Sequence, residues 1–212
     1  MRLMFDGIIH SLQARGGITT YTNNLLRSFI EVDPKLEISI LVHHPLLQEI
    51  ILPPNIHRIF VKEKSLIRKW KAKIAQKNSQ IFHSSYYTHS DTSQGPQVVT
   101  VYDLIYELMP EYFPRTTETN EFLTQKKTSI TKADAIICIS ETSKADLKRI
   151  YDLDDKKSMS SLLGLTARYS IQESAEPVLK SRMLVHALST KTLQNLFQRL
   201  VSGGSLKNIS SR

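Results

Sequence analysis

The chain has 212 residues, 41% of them hydrophobic, and a formal net charge of +8 at pH 7. This length and apolar content can bury a core, which favours a globular protein of one large domain, or one domain with an extension, over a disordered chain. The single cysteine, Cys138, excludes disulfides within the chain and a CxxC metal site, and its apolar surroundings favour a buried thiol in a reducing compartment.

Apolar runs and helical repeats alternate along the chain. The predicted strands are, in order, MRLMFDGII, LEISILVHH, IHRIFVKE, SQIFHSSYY, PQVVTVYDL and AIICIS. The predicted helices are TTYTNNLLRSFIEV, SLIRKWKAKIAQKN, the polar segment 117–132 and ETSKADLKRIY. Thr19 is the expected N-cap of the first helix. The apolar residues on one face of that helix are Tyr21, Leu25, Leu26 and Phe29.

Strands rich in valine and isoleucine, separated mostly by helices, predict a parallel sheet with helices on both faces. This is a doubly wound, Rossmann-like α/β fold. Such folds bind ligands beyond the carboxyl ends of the strands, where loops converge with helix N-termini. Three loops are therefore candidates for the site: residues 10–18, the stretch after Val101 and the loop at Ser140.

Two glycines, Gly16 and Gly17, stand immediately before the first helix in ARGGITTYT. Because they have no side chains, backbone N–H groups can approach a ligand, and the first turn of the helix adds unpaired donors and a partial positive charge. Phosphate is the ligand that suits such a turn. The pair matches neither common phosphate-binding glycine motif, so a plain strand-to-helix turn is the alternative.

Four ordered segments together resemble the N-terminal domain of family 4 glycosyltransferases, which have the GT-B fold. They are MRLMFDGIIHSLQARGGITTYTNNLLRSF, FHSSYYT, PQVVTVYDLIYELMPEYFP and KADAIICISETSKADLKRIY. The likeness covers approximately residues 1–155, and a weaker similarity continues through LLGLTARYS. It implies a retaining glycosyltransferase with two facing Rossmann-like domains, the first binding mainly the acceptor and the second mainly a nucleotide-sugar donor.

The resemblance also implies roles for particular residues. The family's glycine loop lies near the donor diphosphate, which assigns donor-phosphate binding to Gly16 and Gly17. The family's Val-His-Asp motif corresponds here to Val101, Tyr102 and Asp103, so Tyr102 and Asp103 would be the catalytic residues on the reaction side. Tyrosine can donate a hydrogen bond, but with a reference pKa near 10 it is a poor substitute for an imidazole that titrates near neutrality. The resemblance implies a nucleotide-diphosphate sugar as donor substrate, and no cofactor or metal.

The chain departs from the family after residue 155. A complete member would carry a second domain of similar size, whereas only residues 156–212 follow here. We therefore expect a glycosyltransferase N-terminal domain at 1–155 and a non-matching extension at 156–212, with one amphipathic helix between Leu184 and Leu200 and a flexible tail. Residues 171–212 match nothing in the family, as would happen if a longer gene had been cut or its reading frame had shifted. Without a facing domain there is no dry cleft, so catalysis by this chain alone is not expected to be efficient.

Three further polar residues are candidates for lining the cleft. His83 lies at the end of the fourth strand, where a satisfied strand-end histidine is the alternative. Ser140 opens the last helix, where capping is its main expected role, and a cleft role for Ser140 or Thr142 is secondary. His43 and His44 are adjacent and point to opposite faces of a strand, so they do not form a metal pair.

Basic and apolar residues share the segment 62–77, KEKSLIRKWKAKIAQK. As a helix it has lysines on one side and Leu66, Ile67, Trp70 and Ile74 on another. Such a helix could lie on an anionic membrane, each lysine contributing about 1 kcal/mol near the headgroups, and the alternative is a core helix with a solvated basic face. Elsewhere basic residues are mixed with acidic ones and no nucleic-acid motif accompanies them, so no nucleic-acid partner is expected.

No apolar run approaches the roughly 20 residues of a membrane span, and the N-terminus lacks the apolar stretch of a signal peptide. A cytoplasmic protein is expected, at most peripheral on the inner face of a membrane. The first functional hypothesis is the acceptor-side half of a glycosyltransferase that uses a polysaccharide or lipid-linked acceptor. The second is a non-catalytic remnant or binding module at a membrane surface or a partner subunit.

Overall fold

The computed structural model describes residues 1–47, 50, 52–61, 66–153, 158–160, 195–196, 198 and 201–202, with the backbone alone for 66–71 and 158–160. The strands in these ranges are β1 (Arg2–Asp6), β2 (Glu37–His43), β3 (His57–Val61), β4 (Ile81–Ser84), β5 (Gln97–Val101), β6 (Ala135–Cys138) and β7 (Ser158–Ser160). The helices are α1 (Ile9–Leu12), α2 (Gly17–Val32), α3 (Leu66–Asn78), α4 (Ile105–Leu108), α5 (Thr117–Lys132) and α6 (Glu141–Tyr151), with a 3₁₀ turn at Pro110–Tyr112. Residues 195, 196, 198 and 201 are also helical.

The seven described strands form one sheet in the order β3-β2-β1-β4-β5-β6-β7, and every neighbouring pair is parallel. β1 lies inside the sheet, where Met4 stands opposite Ser39 of β2 and Phe82 of β4. Since β2 and β3 extend the sheet on one side of β1 and β4 to β7 on the other, the strand order reverses between β1 and β4. The predicted α/β class with a parallel sheet is confirmed, and the arrangement is consistent with a Rossmann-like fold.

Side chains along the strands alternate between two apolar layers. Leu3 and Phe5 of β1 join Phe29 of α2 in one layer, whereas Met4 packs with Ala72 of α3 on the opposite face. On that second face, β5 and β6 share a further cluster with α5 and α6. Helices therefore cover both faces of the sheet. Because the strands are buried on both faces, they have apolar residues at nearly every position.

The predicted start of α2 was wrong by two residues. The helix begins at Gly17, with Gly16 as the N-cap residue. Thr19 is instead buried inside the first turn, and its hydroxyl donates to Oε1 of Gln13 at 3.1 Å. Because that hydroxyl is held by the preceding loop, it does not cap the helix.

The other predicted elements are present, and three short ones were missed. α5 and α6 have the predicted bounds, whereas α1, α4 and β7 were not predicted. The expected amphipathic helix of the extension is described only at its end, where Leu196 is buried in the layer that contains Phe5 and Phe29. Leu184, Leu188 and the predicted flexible tail lie outside the described residues.

Candidate functional site

The carboxyl ends of the inner strands bring three loops to one edge of the sheet. β1 ends at Asp6 and β4 at Ser84, and these residues are cross-strand partners. The backbone N–H of Ser85 donates to the carbonyl oxygen of Asp6 at 3.3 Å. Because β5 and β6 are parallel to these strands, the loops at Tyr102 and Ser140 follow at the same edge. This is the edge at which α/β folds of this kind bind ligands.

Gly16 and Gly17 lie in the connection that leads from β1 through α1 into α2. Gly16 has a φ of 174°, extended backbone that any residue adopts, so its requirement is steric. A Cβ there would lie 2.2 Å from the carboxamide of Gln13. At Gly17 a Cβ would meet nothing within 4 Å. Gln13 therefore occupies the space at Gly16, whereas the space beside Gly17 is open.

The N-terminus of α2 differs from those of the other two long, fully described helices. Thr116 caps α5 by accepting from the N–H of Thr119, and Ser140 caps α6 by accepting from the N–H of Ser143. No side chain caps α2, and its first turn contains no acidic residue. The first-turn N–H groups and the positive end of the helix dipole are therefore not neutralised by a side chain of α2 itself.

Tyr102 connects several elements at this edge. It is only 7% exposed, and its hydroxyl donates to the carbonyl oxygen of Ser85 at 3.2 Å. Its ring meets Tyr21 of α2 edge to face with centroids 6.0 Å apart, and its carbonyl oxygen accepts from the hydroxyl of Ser143 at 3.3 Å. Burial raises the pKa of Tyr102 well above its usual value. The phenol thus stays protonated and joins α2 to the loop after β4, while the backbone carbonyl of Tyr102 contacts α6.

The backbone of Asp103 is fixed while its carboxylate is at the surface. The carbonyl oxygen accepts from Nζ of Lys126 at 3.0 Å and from the hydroxyl of Tyr87 at 3.3 Å. The carboxylate accepts from the N–H of Ile105 at 3.3 Å. Nζ of Lys126 also donates to Oε2 of Glu107 at 2.9 Å. A buried ion pair therefore positions the exposed carboxylate that was predicted to face the reaction.

His83 lies inside β4 and is fully buried. Nε2 is 2.9 Å from the hydroxyl of Thr100 on β5, and the ring meets Phe5 edge to face at 4.7 Å. Burial lowers the pKa of His83 to about 3, so the ring is neutral near pH 7. His83 is therefore enclosed between β1, β5 and the apolar layer, which is the placement of a buried strand histidine rather than of a residue that lines a cleft.

Ser140 has its expected capping role, and Thr142 projects from the same helical turn. Oγ of Ser140 accepts from the N–H of Ser143 at 3.0 Å, and Thr142 is exposed.

Cys138, at the end of β6, is fully buried, and burial raises the pKa of its thiol to about 11. The thiol therefore behaves as an apolar side chain in the core.

A histidine and a carboxylate that were not predicted as a pair meet at the ends of β1 and β2. Nε2 of His43 lies 2.6 Å from Oδ1 of Asp6, which is buried. Nearby, fully buried His10 contacts the carbonyl oxygen of Gly7 through Nδ1 and Oδ1 of Asn23 through Nε2. The available sequence signal was that Asp6 and His43 both end apolar strands, but it did not show that these strands are neighbours.

An open groove of about 690 Å³ lies beside α5. It runs between the loop at Thr88–Asp91 and α5, and polar side chains such as Asn120, Gln125 and Lys132 line it. It includes none of the residues that were predicted for the site. The glycine turn therefore lies outside this groove.

Within the described ranges, no cluster of three or more histidine, cysteine, aspartate or glutamate side chains could hold a metal ion. No described helix is long and apolar enough to cross a membrane.

Comparison with protein-family models gives no match, and comparison with curated proteins gives none either.

Proposed function

We propose that this chain is the acceptor-side half of a glycosyltransferase of the GT-B type, in which the turn at Gly16 and Gly17 receives the diphosphate of a nucleotide-sugar donor. The observation that carries the proposal is the start of α2. Its first turn has no side-chain cap, and the space beside Gly17 is open. Backbone N–H groups at the positive end of a 16-residue helix suit a phosphate in that space.

Tyr102 and Asp103 have different roles in this proposal. The buried phenol of Tyr102 holds α2 against the loops after β4 and β5, so it acts on the geometry of the site. The exposed carboxylate of Asp103 is available to accept hydrogen bonds from sugar hydroxyls. Ser140 and Thr142 border the same edge from α6, with Ser140 engaged as the helix cap.

A bulky side chain at Gly17 tests the phosphate site. Gly17→Val adds a side chain in open space, so the fold should tolerate it while the diphosphate is blocked. We expect binding of nucleoside diphosphates, measured by calorimetry, to weaken roughly tenfold or more, which is a loss of about 1.4 kcal/mol or more. Thr20→Val, at an exposed position one turn further along α2, is the matched control and should bind as the wild type does.

Assays for sugar transfer and nucleotide-sugar hydrolysis on the purified protein complete the test. Turnover that Gly17→Val lowers and Thr20→Val leaves unchanged would support the proposal. If no nucleoside diphosphate binds the wild type, or both variants bind as it does, the glycine turn has no role in donor binding.

A second candidate function, contact with an anionic membrane surface, is favoured by the orientation of α3. Ala72 is buried against the sheet, whereas Ile74 is 38% exposed and lies between the exposed side chains of Lys73 and Lys77. An exposed apolar residue flanked by lysines suits the boundary between headgroups and acyl chains.

Co-sedimentation with lipid vesicles tests membrane contact. Wild type should bind vesicles that contain anionic lipid and not neutral ones, and added salt should weaken binding. Lys73→Glu with Lys77→Glu should abolish binding, whereas Lys127→Glu, at an exposed position on α5, should have a smaller effect. Equal binding to anionic and neutral vesicles would contradict an electrostatic contact.

A further inference from the structure

The contact between Asp6 and His43 joins two parallel strands at their carboxyl ends. Oδ1 of Asp6 is 2.6 Å from Nε2 of His43, and the side chains are 4% and 24% exposed. The same oxygen of Asp6 accepts from the N–H of Ile8 at 3.1 Å, which anchors the carboxylate in the turn after β1. The backbone of His43 is held as well, because its carbonyl oxygen accepts from the hydroxyl of Ser11 at 2.7 Å. Both members of the pair are therefore fixed before any ligand binds.

This geometry sets the protonation pattern of the imidazole. A carboxylate can only accept at this distance, so Nε2 of His43 carries the proton that it donates to Asp6. In the neutral ring, Nδ1 then has a lone pair. Among the described residues no hydrogen-bond partner contacts Nδ1, and it is not a buried unsatisfied atom. The side chain of His43 is 24% exposed, so the ring reaches solvent at the edge of the sheet.

Among the described residues, His43 has few charged neighbours. Asp6 on β1 is the charged group that faces it, and Val61 stands opposite it on β3. On α1, His10 is engaged with Gly7 and Asn23. Burial alone would lower the pKa of His43, but the hydrogen bond and the charge of Asp6 outweigh burial, so this pKa lies above its usual value. Within the described part of the chain, Asp6 is the one carboxylate that holds the imidazole.

We propose that His43 is a proton acceptor for a hydroxyl-bearing ligand at the carboxyl edge of the sheet, with Asp6 as the residue that positions its ring. The pair lies where β1 leads into the connection that carries Gly16 and Gly17. The identity of the hydroxyl rests on the proposed function, in which it belongs to the sugar acceptor. A carboxylate that orients a histidine and stabilises its protonated form is a recurring arrangement in acid–base catalysis.

The proton balance of the step is complete. The acceptor O–H bond breaks and its proton forms an N–H bond at Nδ1 of His43. The acceptor oxygen forms a bond to the anomeric carbon of the nucleotide sugar on the side from which the diphosphate leaves, as retention of configuration requires. The bond from that carbon to the diphosphate oxygen breaks, and its electron pair leaves with the diphosphate. The positive charge on the imidazole is stabilised by Asp6 across the 2.6 Å contact.

The tautomer of His43 can be measured on the whole protein by nitrogen NMR of the histidine rings. We expect the proton of the neutral ring on Nε2, and a lower pKa in Asp6→Asn. If Asp6→Asn does not fold, the wild-type tautomer still decides the geometry. A neutral ring protonated on Nδ1 would overturn the proposal, because no lone pair would then be available there.

Hydrolysis of p-nitrophenyl acetate measures proton acceptance without any sugar, since water supplies the hydroxyl. Wild type should hydrolyse this ester faster than His43→Gln, with a rate that falls at acidic pH as His43 becomes protonated. His57→Gln, which changes an exposed histidine on β3, is the matched control and should equal wild type. Equal rates for wild type and His43→Gln would overturn the proposal.

Sugar-transfer assays then separate this proposal from the proposed function. If the wild type turns over a nucleotide sugar, His43→Gln should lower kcat by about 100-fold with little change in KM, and it should remove the acidic limb of the pH profile. An unchanged kcat would overturn the role of His43. If the wild type has no turnover, nucleoside-diphosphate binding at the glycine turn still tests the proposed function, and the ester and tautomer measurements decide separately whether His43 accepts a proton.

Discussion

Lys126 is a lysine in an apolar core, and its environment explains how it can be there. It is 1% exposed, and Nζ donates to Glu107 at 2.9 Å and to the carbonyl oxygen of Asp103 at 3.0 Å. The ammonium also lies 4.9 Å from the centre of the Tyr87 ring. The other carboxylate oxygen of Glu107 accepts from the hydroxyl of Tyr151 at 2.7 Å. This cluster joins α4, α5 and α6 beside the loop that carries Asp103.

Removing the charge of Lys126 should destabilise the fold strongly. Lys126→Met keeps most of the side-chain volume but leaves the carboxylate of Glu107, whose side chain is only 11% exposed, without its cation. We expect a loss of about 3–5 kcal/mol in the free energy of unfolding, measured by urea denaturation. Lys127→Met, at the exposed neighbouring position, should change it by less than about 0.5 kcal/mol. The double variant Lys126→Met, Glu107→Gln should recover part of the loss, and additive losses would contradict a coupled pair.

His83 should make stability dependent on pH in the acidic range. Burial lowers the pKa of His83 to about 3 in the folded protein, whereas an unfolded histidine has a pKa near 6.5. Between these values the unfolded state binds a proton that the folded state does not, so stability falls as the pH falls. The expected slope from this residue is roughly 1 kcal/mol per pH unit below about pH 6.

Urea denaturation of the wild type and of His83→Phe between pH 4 and 7 would measure that slope. Phenylalanine cannot bind a proton, so the variant should have a shallower dependence on pH even if altered packing lowers its stability overall. His57→Phe changes an exposed histidine and should keep the wild-type slope. The same slope in all three proteins would show that His83 is not the group responsible.

At the scale of elements, one layer of the core depends on a residue far along the chain. Leu196 is 2% exposed and belongs to the cluster that contains Leu3 and Phe5 of β1, Val98 of β5 and Ile137 of β6. Of the helices α2, α3, α5 and α6, only α2 contributes residues to that cluster. The helical residues around Leu196 therefore help to cover this face of the sheet, although the sequence there does not resemble the family that the first 155 residues resemble.

Leu196→Ala should measure how much that cover contributes. Truncating a buried leucine removes apolar contact and leaves a cavity, so we expect a loss of about 2–5 kcal/mol in the free energy of unfolding. Gln198→Ala, at an exposed position of the same helical turn, should be close to neutral. A loss below about 0.5 kcal/mol in Leu196→Ala would mean that the extension does not take part in the folded core.

Most strands and helices could be predicted from the local sequence. The start of α2 and the two shortest helices could not, and the cause in each case lies in a few neighbouring residues. α6 was predicted to the residue and α5 with approximate bounds that match, since both have clear amphipathic or polar repeats and α6 has an N-cap serine. The start of α2 was misplaced because a threonine near the first turn signals a cap, but the hydroxyl of Thr19 is held by Gln13. α1 and α4 were missed because each has only four residues, too few to show a helical period.

At the scale of the whole molecule, Cys138 reports on global unfolding. It ends β6, which lies between β5 and β7 in the sheet, and its side chain is fully buried. A thiol-specific reagent should therefore not label the native protein, and it should label one thiol per chain in urea. Since burial raises the pKa of Cys138 to about 11, the native thiol is also poorly ionised at neutral pH. Rapid labelling of native protein would mean that the sheet opens locally at β6, and Cys138→Ser provides the blank.

The sequence by itself determined the α/β class, the parallel sheet and the approximate bounds of most strands and helices. These properties arise from periodicity and turn residues within short windows, so they need no knowledge of distant partners. Tertiary structure alone decided which side chains meet. The Asp6–His43 contact spans 37 positions, the Tyr151–Glu107 bond spans 44, and both depend on strand order and packing. The role of His83 was uncertain for the same reason. Its position near the end of a strand did not show whether the side chain faces a ligand or the core, and only the packing of neighbouring strands and helices decided this.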